Sequence, residues 1–284
     1  MKRRTPGFGR GSIGGQRLFR VLAGGTLCLL LAACLGPDRQ VVVWGEKVHP
    51  LAAEGVESMQ AGDYEAALIA VNELLHRDPG NVDGLWIQGK IYIKQDRLGD
   101  ARKSAEKALQ ADAFRGGPHA VLGEVYFRTS RFDAALEESR RALVANPKLP
   151  TPYRVIGEIY LRRGRLKESL PVLKQAVQLA PRDPEILQVL SAAYIKIKEY
   201  DRAHEVLKTA MDLDPSRPGL HFNLALVFTH RNEADRALRH IDEAERLYEE
   251  AKNHNWLAKA RHLKRVITKK FKLRPEDILS QNSS

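Results

Sequence analysis

The sequence contains few of the residues that build metal centres or disulfide frameworks. Only two cysteines, Cys28 and Cys34, occur among 284 residues, so a four-cysteine zinc site is excluded and at most one disulfide can form. The spacings of a zinc protease motif, a Cys-x-x-Cys pair or an EF-hand loop do not occur either. We therefore expect no cofactor, no metal and no enzymatic activity. An enzyme or metalloprotein without these motifs is the alternative, which metal analysis would reveal.

Acidic residues are missing from the beginning of the chain, and no apolar run there is long enough to span a bilayer. The first 20 residues carry six Lys or Arg and no acid, and the apolar or small run from Val21 to Leu35 has 15 residues. A spanning helix needs roughly 20. A basic segment followed by a short apolar run is typical of a signal peptide, to which we assign residues 1–33.

The signal segment ends in Leu31-Ala32-Ala33-Cys34, which resembles the lipobox of bacterial lipoproteins. The resemblance implies cleavage before Cys34 and attachment of three hydrocarbon chains to this residue, and two chains already suffice for stable anchoring. Because Leu35 rather than Asp follows, the resemblance favours the outer membrane, with the protein facing the periplasm. The inner membrane is the alternative. An uncleaved anchor, or an ordinary secretory signal with a chance cysteine, would share the apolar run.

A 34-residue interval recurs along the chain without insertion or deletion. It divides residues 48–251 into six blocks, which are 48–81, 82–115, 116–149, 150–183, 184–217 and 218–251. One column of equivalent positions reads Gly55, Gly89, Gly123, Gly157, Ser191 and Ala225, and another reads Ala67, Ala101, Ala135, Ser169, Ala203 and Ala237. Apolar residues recur at helical spacing in each block, which predicts two amphipathic helices per block. We expect the two small-residue columns to face each other, so that the helix axes approach to about 8 to 10 Å.

This pattern resembles the tetratricopeptide repeat, whose unit is a 34-residue helix-turn-helix. The resemblance implies an all-α, right-handed superhelical solenoid of six repeats, in which the first helices line a concave groove and each repeat contacts only its neighbours. Two places depart from the pattern. Pro171 lies inside the second helix of block four and could cost about 3 kcal/mol, unless that helix starts near Lys167. Block two lacks its closing proline, so we expect a looser joint at residues 114–117.

The groove columns of the family, carried over to this sequence, give the candidate partner-binding residues. One column places a basic residue in four successive blocks, which fits an acidic or extended peptide, although plain solvation of the helix ends would give the same column. The aromatic candidates are expected to be exposed anchors, because aromatic residues are typical of binding hot spots. The basic ladder is Lys94, Arg128, Arg162 and Lys196, the aromatic anchors are Trp86, Phe127 and Phe222, and the other groove candidates are Lys90 and Arg154.

Two segments flank the repeats. Residues 34–47 are predicted to be the lipidated cysteine and a tether, whose apolar run at 41–44 is expected to cap the first block, with Trp44 covering its exposed face. Residues 252–284 are predicted to be a basic capping helix and tail, since nine Lys or Arg and no acid lie within 252–274. The tether and repeats together carry a charge of −2. The net charge of +11 therefore comes from the signal segment and the C-terminal segment, and no nucleic-acid partner is expected.

One face of the C-terminal helix is a candidate basic surface. It carries Arg261, Arg265, Lys269 and Lys272, opposite a face of apolar residues that begins at Trp256. The basic face is either the solvated side of a cap or a surface for anionic lipid headgroups or an acidic partner.

The lipobox, short tether and six repeats together resemble the pilotin lipoproteins of type IV pili, which help a secretin ring to assemble in the outer membrane. The resemblance lies in architecture and repeat number. It implies an envelope protein or peptide as partner, with a secretin as the specific candidate. Scaffolds for outer-membrane protein assembly, cell-wall enzymes or polysaccharide export share this architecture and are the alternative. The pattern predicts no particular oligomeric state.

Overall fold

The structure, a computed structural model, describes residues 41–273. The signal segment, the lipobox and residues 274–284 lie outside the described residues. A β-hairpin comes first, in which β1, Val41–Val43, pairs antiparallel with β2, Glu46–Val48. The helices that follow are α1 Pro50–Gln60, α2 Tyr64–Arg77, α3 Val82–Lys94, α4 Leu98–Ala111, α5 Gly116–Arg128, α6 Phe132–Ala145, α7 Pro150–Arg162, α8 Leu166–Leu179, α9 Pro184–Lys196, α10 Tyr200–Leu213, α11 Pro218–His230, α12 Ala234–Glu250 and α13 His254–Phe271.

The helices α1 to α12 form six helical hairpins. Each odd-numbered helix packs along the even-numbered helix that follows, and each even-numbered helix packs on the next odd-numbered one. Successive odd-numbered helices also contact each other, so they make the inner, concave layer of the array. This arrangement confirms the predicted all-α solenoid of six repeats with a C-terminal capping helix.

The small-residue columns face each other as expected. A Cβ placed on Gly157 would lie 2.5 Å from Leu173 Cδ2, and the hydroxyl of Ser169 donates a 2.7 Å hydrogen bond to the Gly157 carbonyl. A Cβ on Gly89 would similarly lie 3.3 Å from the carbonyl oxygen of Ala101. The backbones therefore approach so closely that a larger side chain would wedge the hairpin open.

The turn inside each helical hairpin needs one residue in the left-handed region. Glycine fills this position twice, at Gly62 and Gly164, with φ angles of +84° and +73°. Glycine adopts this conformation without steric strain, because it has no Cβ. The other four blocks use residues with a side chain, namely Asp96, Ser130, Lys198 and Asn232, at φ angles between +59° and +63°. Residues other than glycine adopt this conformation at some cost in free energy.

The joint between the second and third blocks is closely packed, so the expectation of a looser joint is wrong, and of residues 114–117 only 114 and 115 lie in the loop. Gly116 and Gly117 belong to the first turn of α5 and are buried. A Cβ on Gly117 would overlap the ring of Trp86, and one on Gly116 would lie 3.0 Å from Asn146 Cβ. The two glycines thus permit close packing, and one apolar cluster runs across the joint.

The capping helix α13 packs mainly on α12. It buries Leu257, Ala260, Leu263 and Ile267, as the helical spacing predicted for three of them. Trp256 was expected on this buried face but is 36% exposed. None of the helices within residues 41–273 is long and apolar enough to span a bilayer.

A histidine ties the first helix to the preceding loop in two repeats. In block three, His119 contacts the Ala113 carbonyl and Glu138 Oε2, the latter at 2.6 Å. In block six, His221 Nε2 lies 2.8 Å from the Pro215 carbonyl, and its Nδ1 lies 3.1 Å from His240 Nδ1.

The contacts of the pair in block six assign the direction of its hydrogen bonds. A carbonyl can only accept, so His221 Nε2 donates to Pro215, and His221 Nδ1 accepts a hydrogen bond from His240 Nδ1. Burial lowers the pKa of His240 to about 4, and the neighbouring charges of His221 and Arg239 act in the same direction, as do those of His204 and Arg236.

The helix α8 begins at Leu166, close to the start near Lys167 that was expected to relieve Pro171, yet Pro171 still lies in its interior. The proline occupies the sixth helical position, beyond the amides that lack partners at a helix start, so it removes one backbone hydrogen bond. The position is exposed. We expect Pro171→Ala to raise the free energy of unfolding by about 1 to 3 kcal/mol in chemical denaturation. The exposed substitution Lys174→Ala in the same helix should change it by less than about 0.5 kcal/mol. An unchanged or lower value for Pro171→Ala would contradict this account.

The histidine pair predicts a loss of stability in acid. The folded pKa of His240 is below its ordinary value near 6.5, so the unfolded chain binds more protons between pH 6.5 and about 4, and stability falls as the pH falls through this window. His240→Gln keeps a donor toward His221 and does not titrate. Its stability loss from pH 7 to pH 4.5 should be about 1 kcal/mol smaller than that of the wild type, a reduced value because the ring is only half-buried. Equal losses in thermal denaturation across this range would refute the assignment, and the exposed His262→Gln serves as the control.

Candidate functional site

The candidate site is the groove, which we define as the inner face of the odd-numbered helices α1 to α11. The sequence-predicted groove residues lie on five of these helices. Trp86, Lys90 and Lys94 are on α3, Phe127 and Arg128 on α5, Arg154 and Arg162 on α7, Lys196 on α9 and Phe222 on α11. The side-chain contacts divide the groove into an N-terminal, a central and a C-terminal part.

The β-hairpin occupies the N-terminal part of the groove. The ring of Trp44 lies 5.6 Å from that of Trp86, and Lys90 Nζ lies 3.2 Å from the centroid of the Trp44 ring. The amide of Asn146, at the end of α6, donates a 3.1 Å hydrogen bond to the Trp44 carbonyl. Residues 41–48 were expected to be a tether with a cap on the first block. They form a folded element that packs on α1 of the first block, as a cap would, and that also reaches the second and third blocks.

The expectation that the three aromatic candidates are exposed is wrong. Trp86 is 1% exposed because the β-hairpin covers it from one side and Gly117 allows α5 to approach from the other. Phe127 is 8% exposed, under Phe132 and the guanidinium of Arg162. Phe222 is partly buried and contacts Trp256 edge-on at 5.6 Å.

An ion-pair network crosses the central part of the groove. Lys94 Nζ, at the end of α3, lies 3.1 Å from Glu185 Oε2, at the start of α9. This contact joins the second and fifth blocks, so the expectation that each repeat contacts only its neighbours is wrong at this point. Arg154 lies 3.4 Å from Glu185 and 3.4 Å from Glu158, and it is paired with Glu124. Five helices, α4 to α8, separate Lys94 from Glu185 in the chain, and the curvature of the array brings them together.

The electrostatics of the network favour the ionised carboxylate. Arg154, first, and then Lys94 and Arg217 hold the pKa of Glu185 well below its usual range, against the effect of burial. Burial lowers the pKa of Lys90 to about 7, and the charge of Lys94 adds to this effect. In a fraction of the molecules the Lys90 side chain is therefore uncharged near neutral pH, while Glu185 stays charged.

Two ion pairs of the groove join residues four apart on the same helix, and one of them is much closer than the other. Arg162 lies 3.0 Å from Glu158 on the same helix. Arg128 Nε is 3.9 Å from Glu124, whose closer partner is Arg154 on the next odd-numbered helix. Glu124 and Arg154 are both buried, so this pair ties α5 to α7, and loss of either partner would leave a buried charge unpaired.

The basic ladder is only partly available to a ligand. Lys94 is bound to Glu185, and Arg128 donates to the Ile93 carbonyl at 2.7 Å. Arg162 keeps 52% of its side chain exposed, and Lys196 is exposed and has no ion pair within the described residues. Arg162 and Lys196 are therefore the members of the column best placed to meet a partner.

The candidate basic surface on α13 forms one wall of a shallow cleft. Its volume is about 630 Å³, and the cations Arg261, Lys264, Arg265, Lys269 and Lys272 line it, beside Glu245. Arg261 is paired with Glu245 and Glu249 across the contact with α12. Part of the basic face thus fastens the cap, and the side chains nearer the end of α13 face solvent.

Sequence patterns missed three residues of the groove, each for its own reason. Trp44 follows a β-branched run and precedes Gly45, a combination that predicts a hairpin, but the run was assigned to a tether. Asn146 directly follows α6 and precedes the closing proline of its block. Nothing in the local sequence marks it as a donor to the hairpin. Glu185 has no local signal, because its partner Lys94 is 91 residues away. Within residues 41–273 no group of three or more His, Cys, Asp or Glu is close enough to hold a metal ion.

Comparison with known proteins shows the family. A model of the tetratricopeptide repeat matches residues 53–118, 120–184 and 192–252, and a second model of the same repeat matches residues 160–212. No curated protein matches the sequence.

Solved structures of low sequence identity share the fold. The Pseudomonas aeruginosa protein PilF is 16% identical with a TM-score of 0.52, over 70% of this chain and 90% of that one. A tetratricopeptide repeat protein from Parabacteroides merdae is 16% identical with a TM-score of 0.52, over 77% and 83%. A chain of the Cut9–Hcn1 complex of the APC/C is 17% identical with a TM-score of 0.61, over 74% of this chain and 42% of that one. Because the family model matches well over half of the chain and the six helical hairpins have the fold it describes, this protein belongs to the tetratricopeptide repeat family.

Proposed function

We propose that the protein is a membrane-anchored scaffold of the bacterial envelope that binds a segment of a partner protein in the groove. The observation that carries the proposal is the exposure of Arg162 and Lys196 on the inner face of an otherwise fastened array. Repeat arrays use their concave surfaces for extended ligands. Two cations that project into such a surface from neighbouring odd-numbered helices fit an acidic or extended peptide.

The partner that we propose is a secretin of type IV pili. The support is the arrangement of lipobox, short tether and six repeats, together with a fold that resembles PilF. Assembly factors of outer-membrane proteins, cell-wall enzymes and polysaccharide-export proteins are the alternative clients, which the crosslinking experiment below would distinguish by the identity of the captured protein.

Anchoring through a lipid on Cys34 is the second part of the proposal. Cys34 lies outside the described residues, and its support is the lipobox sequence alone. Six residues lie between it and the start of β1, a span of at most about 25 Å. A lipid at this position would keep the N-terminal part of the groove close to the membrane surface.

Substitution of the cysteine tests the anchor. We expect the wild-type protein to incorporate labelled palmitate and to sediment with membranes, because acyl chains hold it in the bilayer. Cys34→Ala should lose the label and move into a soluble or unprocessed fraction, and Cys28→Ala should behave like the wild type. Label that persists in Cys34→Ala would remove the basis for lipid anchoring.

Charge reversal tests the groove. We expect Arg162→Glu with Lys196→Glu to weaken partner capture at least tenfold, because an acidic ligand would then meet repulsion on two adjacent helices. The measurement is photo-crosslinking from the groove in intact cells, followed by detection of the secretin. Circular dichroism would verify that the helices are retained.

A matched control makes the same charge change on the outer layer. Lys174→Glu with Lys208→Glu alters two exposed residues of α8 and α10, which should leave capture unchanged. Equal losses from both double variants would mean that net charge, and not the groove, determines binding.

A further inference from the structure

The β-hairpin is a ligand-like occupant of the groove. Its turn residues Trp44 and Gly45 have φ angles of +48° and +80°, as a tight two-residue turn between β-strands requires. The turn points the Trp44 ring onto Trp86, beneath the ammonium of Lys90. A chain segment that precedes the repeats thus lies where the family places its ligands.

The surface that receives the hairpin offers several specific contacts. We call it the Trp44 seat, formed by Trp86, Lys90, Gly117 and Asn146. A glycine at 117 is needed for the Trp86 ring to lie flat against α5, since a Cβ there would overlap it. Lys90 presents a cation to an aromatic face, and Asn146 presents an amide to a backbone carbonyl. The seat therefore recognises a ring and a carbonyl, which many peptides can supply.

The hairpin fills this seat incompletely. The indole Nε1 of Trp86 is buried and has no hydrogen-bond partner among residues 41–273. A buried donor without an acceptor is costly, and a ligand that supplied the acceptor would gain from it. This orphan donor is an independent sign that the seat suits a segment other than residues 41–48.

The hairpin is also held weakly compared with the helices. Each of its strands has three residues, and an isolated two-stranded hairpin is marginally stable in water. Trp44 adopts a left-handed conformation that a bulky residue rarely takes, and Val42 is 63% exposed. Beyond the turn, the chain is fastened through a 3.1 Å hydrogen bond from the His49 amide to Asp83. Val48 is buried in the apolar cluster of the first blocks. Residues 41–47 can therefore leave the seat while Val48, His49 and α1 keep their contacts.

We propose that the Trp44 seat is a second recognition element of the groove, which the hairpin occupies in cis until a partner segment displaces it. The partner segment carries an aromatic residue at a tight turn and an acceptor for the Trp86 indole. The proposal rests on the proposed function, since it names what the N-terminal part of the same groove recognises. The hairpin acts as a tethered competitor, whose covalent connection gives it an effective concentration on the order of millimolar. The apparent affinity of a free ligand is its affinity for the open seat multiplied by the fraction of molecules in which the seat is open.

The test uses the full chain and a fluorescent peptide of residues 40–49 as probe. We expect the peptide to bind Trp44→Ala at least tenfold more tightly than the wild type in fluorescence anisotropy, because the competitor in cis is lost. Asn146→Ala in the Trp44→Ala background should weaken binding, since the carbonyl loses its donor. Val42→Ala, at an exposed position of the same hairpin, is the matched control and should bind like the wild type.

Two results would overturn the proposal. One is a peptide that binds the wild type and Trp44→Ala equally, or neither of them. The other is a loss of helicity or of amide protection across α1 to α5 in Trp44→Ala, which would make the hairpin a structural part of the array. Displacement predicts faster hydrogen exchange at residues 41–47 only.

The experiment also separates this inference from the proposed function. The probe contains no partner protein, so its failure leaves capture through Arg162 and Lys196 unaffected. Conversely, capture that is insensitive to those two residues leaves the peptide result unaffected. If wild-type dimers formed and Trp44→Ala abolished them, the seat would belong to the hairpin of a second copy, and occupation in cis would be wrong.

Discussion

The close approach of two helix backbones inside each hairpin is the contact on which the other features depend. A Gly, Ser or Ala on the first helix faces an Ala or Ser on the second, so the two helix axes approach closely and the larger apolar residues interlock beside them. Fully buried alanines on the even-numbered helices, such as Ala108 and Ala142, repeat this contact toward the next block. The inner layer of helices is a result of this packing. The groove is therefore set by backbone geometry before any binding residue is considered.

The chain fills both ends of its own groove. The hairpin covers Trp86 at one end, and α13 places Trp256 on Phe222 and Lys270 on the Thr229 carbonyl at the other. Between them, the ion-pair network fixes the separation of α3 and α9. An extended ligand cannot run along the whole inner face without displacing one of these elements. The readily available surface is a shorter stretch around α7 and α9, which suits a short peptide segment.

Local patterns account for what could be predicted. The helices follow from apolar residues at helical spacing, and the hairpins follow from the columns of Gly55 and Ala67, because both signals act over a few residues or one block. Contacts that depend on curvature left no such signal. The position of Trp86 in the family pattern predicts that it faces the groove, but not that residues 41–48 fill the space above it. Glu185 and Lys94 meet only because small rotations between repeats accumulate over three blocks.

The link between Lys94 and Glu185 also bears on how the array comes apart. In a solenoid that is stabilised only by contacts within repeats and between neighbouring repeats, the terminal repeats can open one after another. Unfolding then loses its all-or-none character. A contact between the second and fifth repeats adds an interaction free energy that depends on these two repeats and on the two between them. The buried pair of Arg154 and Glu124 links the third and fourth repeats in the same way. Opening any one of the four weakens the link for all of them. The central four repeats should consequently behave as one cooperative unit that resists extension, while the outermost repeats fray independently.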